Sequence, residues 1–85
     1  MLSILYSKQA SRFLKRAERQ MSDRILRRIE SLAVVPHPQE LQRVTGTGLF
    51  RIRVGRVRIL YEVDVAANTL GIVKIDKRER VYDRV

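Results

Sequence analysis

The chain has no cysteine, a single histidine, and half as many acidic residues as basic ones. Each shortage removes a class of function. Without Cys there is no disulfide framework and no thiolate metal site, which suits a protein of the cytoplasm. His37 stands alone between Pro36 and Pro38, away from any cluster of metal-ligating residues, and reads as a loop residue. No metal and no cofactor are therefore expected. No apolar run approaches the length of a membrane span, and the opening MLSILY is too short for the apolar region of a signal peptide. A membrane partner is not expected. Internal repeats, low-complexity tracts and linkers are also missing, so the 85 residues are read as one domain, 1–85, with one modest core.

What the chain has in quantity is arginine. Eighteen Lys and Arg against 9 Asp and Glu give a formal charge of +9. Such an excess raises the potential around the whole molecule and favours polyanions: nucleic acid, the ribosome, or an acidic protein. By itself it says nothing about catalysis.

The pattern is clearest from Phe50 to Val63, FRIRVGRVRILYEV. Phe50, Ile52 and Val54 alternate with Arg51 and Arg53. After Gly55-Arg56, Val57, Ile59, Tyr61 and Val63 alternate with Arg58, Leu60 and Glu62. Alternation gives each strand one apolar and one polar face, and a Gly-X loop suits a type II′ turn. That turn predicts the pairs Val54–Val57, Arg53–Arg58, Ile52–Ile59, Arg51–Leu60 and Phe50–Tyr61, a register that a one-residue slip would destroy. Arg53 then faces Arg58, and like charges directly opposite destabilise a sheet. Two readings stay open: an anion, most plausibly phosphate, neutralises the cluster, or the face is simply basic and solvated.

Around this hairpin, Leu2 to Tyr6 reads as a first strand and Ser7 as a helix N-cap. Ala10, Phe13, Leu14 and Ala17 recur at helical spacing, with Lys8, Arg12, Lys15, Arg16 and Arg19 on the opposite face. Ser22 is the cap candidate of a second helix, with Met21 stapling against Leu26. Its apolar face is Ile25, Leu26, Ile29, Leu32 and Ala33, and Arg24, Arg27, Arg28 and Glu30 lie largely outside that face. Leu41 to Gly48 reads as a connector whose Gly46-Thr47-Gly48 makes a sharp turn rather than a phosphate loop. Ala66-Ala67-Asn68 is another turn, and Leu70 to Ile75 a strand whose near-continuous apolar run predicts a central position covered at least partly on both sides. The expected order is β-α-α-β-β-β, an α+β fold with a helical hairpin on one face of a small, mainly antiparallel sheet.

GLFRIRVGRVRILYEV, from Gly48 to Val63, and KIDKRERVY, from Lys74 to Tyr82, occur here in that order on a small basic chain. Together they resemble the RelE/ParE superfamily of toxin–antitoxin toxins, and the resemblance spans essentially the whole chain. It implies a RelE-like fold and, on the RelE branch, a ribosome-dependent endoribonuclease that cuts mRNA in the decoding site. The ParE branch instead poisons DNA gyrase. Carried over by position, the RelE-type catalytic set falls on Arg51, Arg53, Arg58, Arg78 and Tyr82, with Arg51 and Arg53 standing where well-known RelE toxins have lysine. The resemblance further implies ribosome and mRNA as partners and a cognate antitoxin, expected to be acidic and to wrap the toxin in a hetero-oligomer. RNA contacts are expected from Lys8, Arg12, Lys15, Arg19, Lys74, Lys77 and Arg80.

The chemistry can also be read from the residues. Cleaving RNA through its own 2′-hydroxyl needs a base, stabilisation of a pentavalent phosphorane, and protonation of the leaving 5′-oxygen. Guanidinium groups suit the second task but not the first, because Arg stays protonated. The candidate bases are Tyr82 and Lys77, and Tyr82 could equally stack on a nucleotide base. The leading expectation is a RelE-type interferase. The alternatives are a ParE-like gyrase poison and a degenerate toxin that only binds RNA or antitoxin.

Overall fold

The computed structural model describes residues 1–77. The elements run β1 (Ser3–Tyr6), α1 (Lys8–Arg16), α2 (Arg19–Val34), β2 (Gln42–Val44), β3 (Leu49–Val54), β4 (Val57–Asp64) and β5 (Thr69–Lys77). Among the described residues the sheet has five strands in the order β1-β5-β4-β3-β2. All neighbours are antiparallel except β1 and β5, which run parallel. This is the expected α+β arrangement with one strand more than expected. β2 falls inside the stretch read as a connector, and its three residues are too few to show a period.

Both helices cover the same face of the sheet. Ala10 of α1 and Ile25, Ile29, Leu32 and Ala33 of α2 are buried with Ile52, Val57, Ile59, Tyr61, Leu70, Ile72 and Ile75 of the strands. Phe13, Leu14 and Met21 are partly buried against that core. The hairpin register is the one the alternation predicts at all five pairs. Gly55, at φ +59, takes the left-handed position of the turn, where a Cβ would be strained.

The helix boundary differs from the expectation. α1 ends at Arg16, and Ala17 leaves the helix with ψ 156 instead of continuing the apolar stripe. Arg19 opens α2, and Ser22 lies within it rather than capping it. Glu18 holds the N-cap position without a side-chain cap bond. Ser22 serves the other helix: its Oγ donates to the Leu14 carbonyl at 2.7 Å, satisfying an acceptor that the end of α1 leaves open. The break is thus set by a tertiary hydrogen bond, in a stretch with no Gly or Pro to mark it.

β5 is an interior strand, as its apolar run predicts, but it does not alternate regularly. β4 is the middle strand, and β5 lies between β1 and β4. Leu60 pairs with Lys74 and Tyr61 with Ile72, so Val73 is an extra residue in β5. Such a bulge shifts the phase of alternation by one. Leu70 and Ile72 face the core before it, and Ile75 faces the core after it. The continuous apolar run reflects this phase change together with partial cover of the other face, where Gly71 and Val73 are half-buried. Beyond the last β1 pair, Ser7 and Gln9 continue the edge. Ser7 Oγ accepts from Ala10 N–H as the expected cap and donates to Val73 O at 2.7 Å. The Gln9 amide donates to Ile75 O at 2.6 Å and accepts from Ile75 N–H at 2.8 Å, as a strand residue would.

Candidate nucleic-acid interface

Cross-strand partners share a face, so the register determines what stands on the side away from the helices. Arg53 faces Arg58, which in turn faces Asp76. One step along, Gln42, Arg51, Leu60 and Lys74 form a second row. Arg51, Arg53 and Arg58 are therefore brought onto one face, as the alternation predicts, and Lys74 joins them.

Their surroundings differ. Arg51 is held against β2, its Nη2 and Nε donating to Gln42 Oε1 at 2.6 and 3.2 Å. Arg53 is exposed. The Arg58 side chain is only 15% exposed, with Nε 3.4 Å from Asp76 Oδ1. That Nε is buried and, among the described residues, makes no hydrogen bond, so the contact with Asp76 is an ion pair only. Lys74 Nζ approaches the other oxygen of Asp76 at 3.8 Å. Asp76 is thus the counterion of the cluster, and sequence reasoning missed it. The signal was available: extending the hairpin across β5 brings one acid opposite Arg58.

Lys77 does not join this face. It pairs with Val57, a core residue, and lines a groove on the helix side. The Val73 bulge is the reason, because simple alternation from Leu70 would have turned Lys77 outward. This separates Lys77 from the arginines and from the base role considered for it. Arg78, Arg80 and Tyr82 lie outside the described residues.

The groove, about 920 Å³, runs between α1 and the tip of the β3–β4 hairpin. Phe13, Ala17, Met21 and Val57 line its apolar part, with Lys8, Arg12, Arg16, Arg56 and Lys77 as cations and Glu18 as an acid. Lys8 and Arg12 are therefore grouped with Lys77, while Lys15 and Arg19 are exposed and do not line the groove. The expected basic face of one helix is divided between two helices. His37 packs edge-on against Phe50, ring centroids 5.1 Å apart, as befits a loop residue. Among the described residues no group of His and acidic side chains could hold a metal ion, and no helix is long and apolar enough to cross a membrane.

Known proteins match this geometry over nearly its whole length. A RelE–RelB complex from the archaeon Pyrococcus horikoshii OT3 has a chain 27% identical to this one, superposing with a TM-score of 0.81 over 93% of this chain and 97% of that one. The RelB–RelE antitoxin–toxin complex of Methanococcus jannaschii gives 26% identity and a TM-score of 0.70, covering 94% and 96%. Isolated Escherichia coli RelE toxin, at 12% identity, shares the fold with a TM-score of 0.83 over 99% and 94%. No curated protein matches significantly. The family described as the ParE toxin of type II toxin–antitoxin systems matches residues 4–82. With a match of that extent, the chain belongs to the ParE toxin family, and is a type II toxin of the RelE/ParE superfamily.

Proposed function

We propose that this toxin is a ribosome-dependent endoribonuclease that cleaves mRNA in the decoding site. The observation that carries the reading is the convergence of Arg51, Arg53 and Arg58 on the sheet face opposite the helices. Guanidinium forks match phosphate oxygens in pairs. In this proposal Arg58 and Arg53 hold the scissile phosphate and stabilise the charge of the phosphorane, and Asp76 sets the orientation of Arg58. Arg78 and Tyr82 complete the site. Tyr82 is the proposed base or stacking platform, since the geometry of Lys77 argues against it. Because this set is poor in groups that exchange protons near neutral pH, the ribosome supplies the alignment of the mRNA.

A cognate antitoxin is the proposed partner, as RelB is for RelE in the archaeal complexes named above. The groove beside α1, with its apolar part and five cations, suits an acidic amphipathic segment. Lys8 and Arg12 would then serve the antitoxin as much as RNA.

The test is primer extension on a defined mRNA in a purified translation system, with wild type beside Arg58→Ala and Tyr82→Phe. Cuts at decoding-site codons that require ribosomes, and that fall by on the order of a hundredfold in each variant, are the expected result. Undisturbed translation would sink the reading. One observation favours a second reading: the matching family is described by ParE. A gyrase inhibitor would leave mRNA whole and trap cleaved DNA on gyrase.

A further inference from the structure

Arg24, Arg27, Arg28 and Ser31 follow one another at i, i+3, i+4 and i+7, and so form a single stripe along α2. The stripe flanks a shallow, open hollow of about 450 Å³ whose other side is Arg53, Val54 and Gly55 at the hairpin tip. Four guanidinium groups thus line one concavity that no carboxylate lines. Like charges at these helical spacings repel, and an anion in the hollow would relieve the repulsion. Glu40 does so for Arg28 alone, at 2.7 Å. Arg24, Arg27 and Arg53 form no ion pair among the described residues. Arg24 lies over the turn, where its guanidinium nitrogens would stand 3.5 Å from a Cβ at Gly55.

The hollow is continuous with the candidate cleavage face through Arg53. That residue also lines the neighbouring hollow of Glu40, Gln42, Arg51 and Ile52. Continuity is possible because β2 pairs with β3 only as far as Arg51, leaving the edge at Arg53 uncovered. The cations here are all Arg, and Val54 is the sole apolar side chain. An amphipathic peptide would find little to bury, whereas phosphate oxygens would find paired donors on both walls.

We propose that this hollow is a second phosphate site, which grips the backbone of a single RNA strand as it passes from the Arg51–Arg53–Arg58 face over the sheet edge onto α2. The proposal rests on the RNA reading but not on cleavage. Its role is to fix the register of the strand, since contacts to phosphate position a nucleic acid without reading its sequence.

The experiment is fluorescence anisotropy of a labelled single-stranded RNA across a salt series. Wild type is compared with Arg24→Gln/Arg27→Gln and with Arg16→Gln/Arg43→Gln, which removes the same charge elsewhere. Thermal unfolding of each variant shows that it is folded. Losing two phosphate contacts should lower the slope of log affinity against log salt by about 1.4 and weaken binding on the order of tenfold near physiological salt. The control pair should change the slope much less. Equal slopes in both double variants would reduce the effect to net charge and overturn the site, as would an unchanged slope in the α2 variant. Polyglutamate that displaces RNA from wild type as well as unlabelled RNA does would also overturn phosphate recognition. Ribosome-dependent cleavage is measured on the same preparations. If wild type binds with the expected slope difference but cuts nothing, the nuclease reading fails and the phosphate site stands.

Discussion

Tyr61 is fully buried in the core, yet its hydroxyl donates to the Pro36 carbonyl at 2.9 Å and ties the end of the α2 connection to the middle of the sheet. Burial raises its pKa above the ordinary tyrosine value, with the Arg28 charge opposing and the Glu40 charge assisting. A group whose folded pKa is raised contributes stability that is fully present below its unfolded pKa and is lost as pH rises through the folded one. The protein should therefore lose stability at alkaline pH from about pH 10 upward. In Tyr61→Phe this loss should shrink, while stability at neutral pH falls by about 1 kcal/mol for the missing hydrogen bond. Urea unfolding at the two pH values measures both. Residue identity was the most legible level of the sequence for the hairpin arginines, whose pairing followed from alternation and one glycine. It did not reveal the side on which Lys77 stands, because a single extra residue at Val73 reverses the alternation after it.

At the scale of elements, the parts written in local chemistry were legible and the parts set by distant partners were not. Ser7 announced the start of α1, and Gly55-Arg56 announced the hairpin. The end of α1 carries no local mark, since Ala17, Glu18 and Arg19 are compatible with a continuing helix and the Leu14 carbonyl is satisfied from Ser22. Gln9 is another case. In the sequence it is one polar residue on a basic helix, whereas in the fold its amide completes the edge of β5. Gln9→Ala should leave the Ile75 N–H and carbonyl without their partner and cost about 2 kcal/mol, two ordinary hydrogen bonds. Amide exchange at Ile75 should accelerate well beyond the change at Ile59 in β4. Equal acceleration at both would mean that Gln9 acts on global stability and not on that edge.

Across the whole molecule, the contacts that close the fold join its two ends. Ser3 pairs with Thr69 and Tyr6 with Ile72, and Ser7 and Gln9 reach Val73 and Ile75. β5 supplies Leu70, Ile72 and Ile75 to the core and lies between β1 and β4. A chain ending at Asn68 should therefore lack a cooperative unfolding transition, even though it contains both helices and the complete Arg51–Arg58 hairpin. Calorimetry and near-ultraviolet dichroism would show this, and a native-like transition in the shortened chain would contradict it. The fold class was legible because the hydrophobic pattern repeats along the chain. The parallel pairing of first strand with last was not, because nothing local encodes a contact 66 residues away.

That pairing also sets a clock. Synthesis runs from β1 to β5, so the opening strand and both helices must wait for the strand that closes the sheet. Asp76, the counterion of Arg58, is among the last residues of β5 to arrive. The basic face, with Arg58 beside its counterion, is therefore assembled only after β5 has been made.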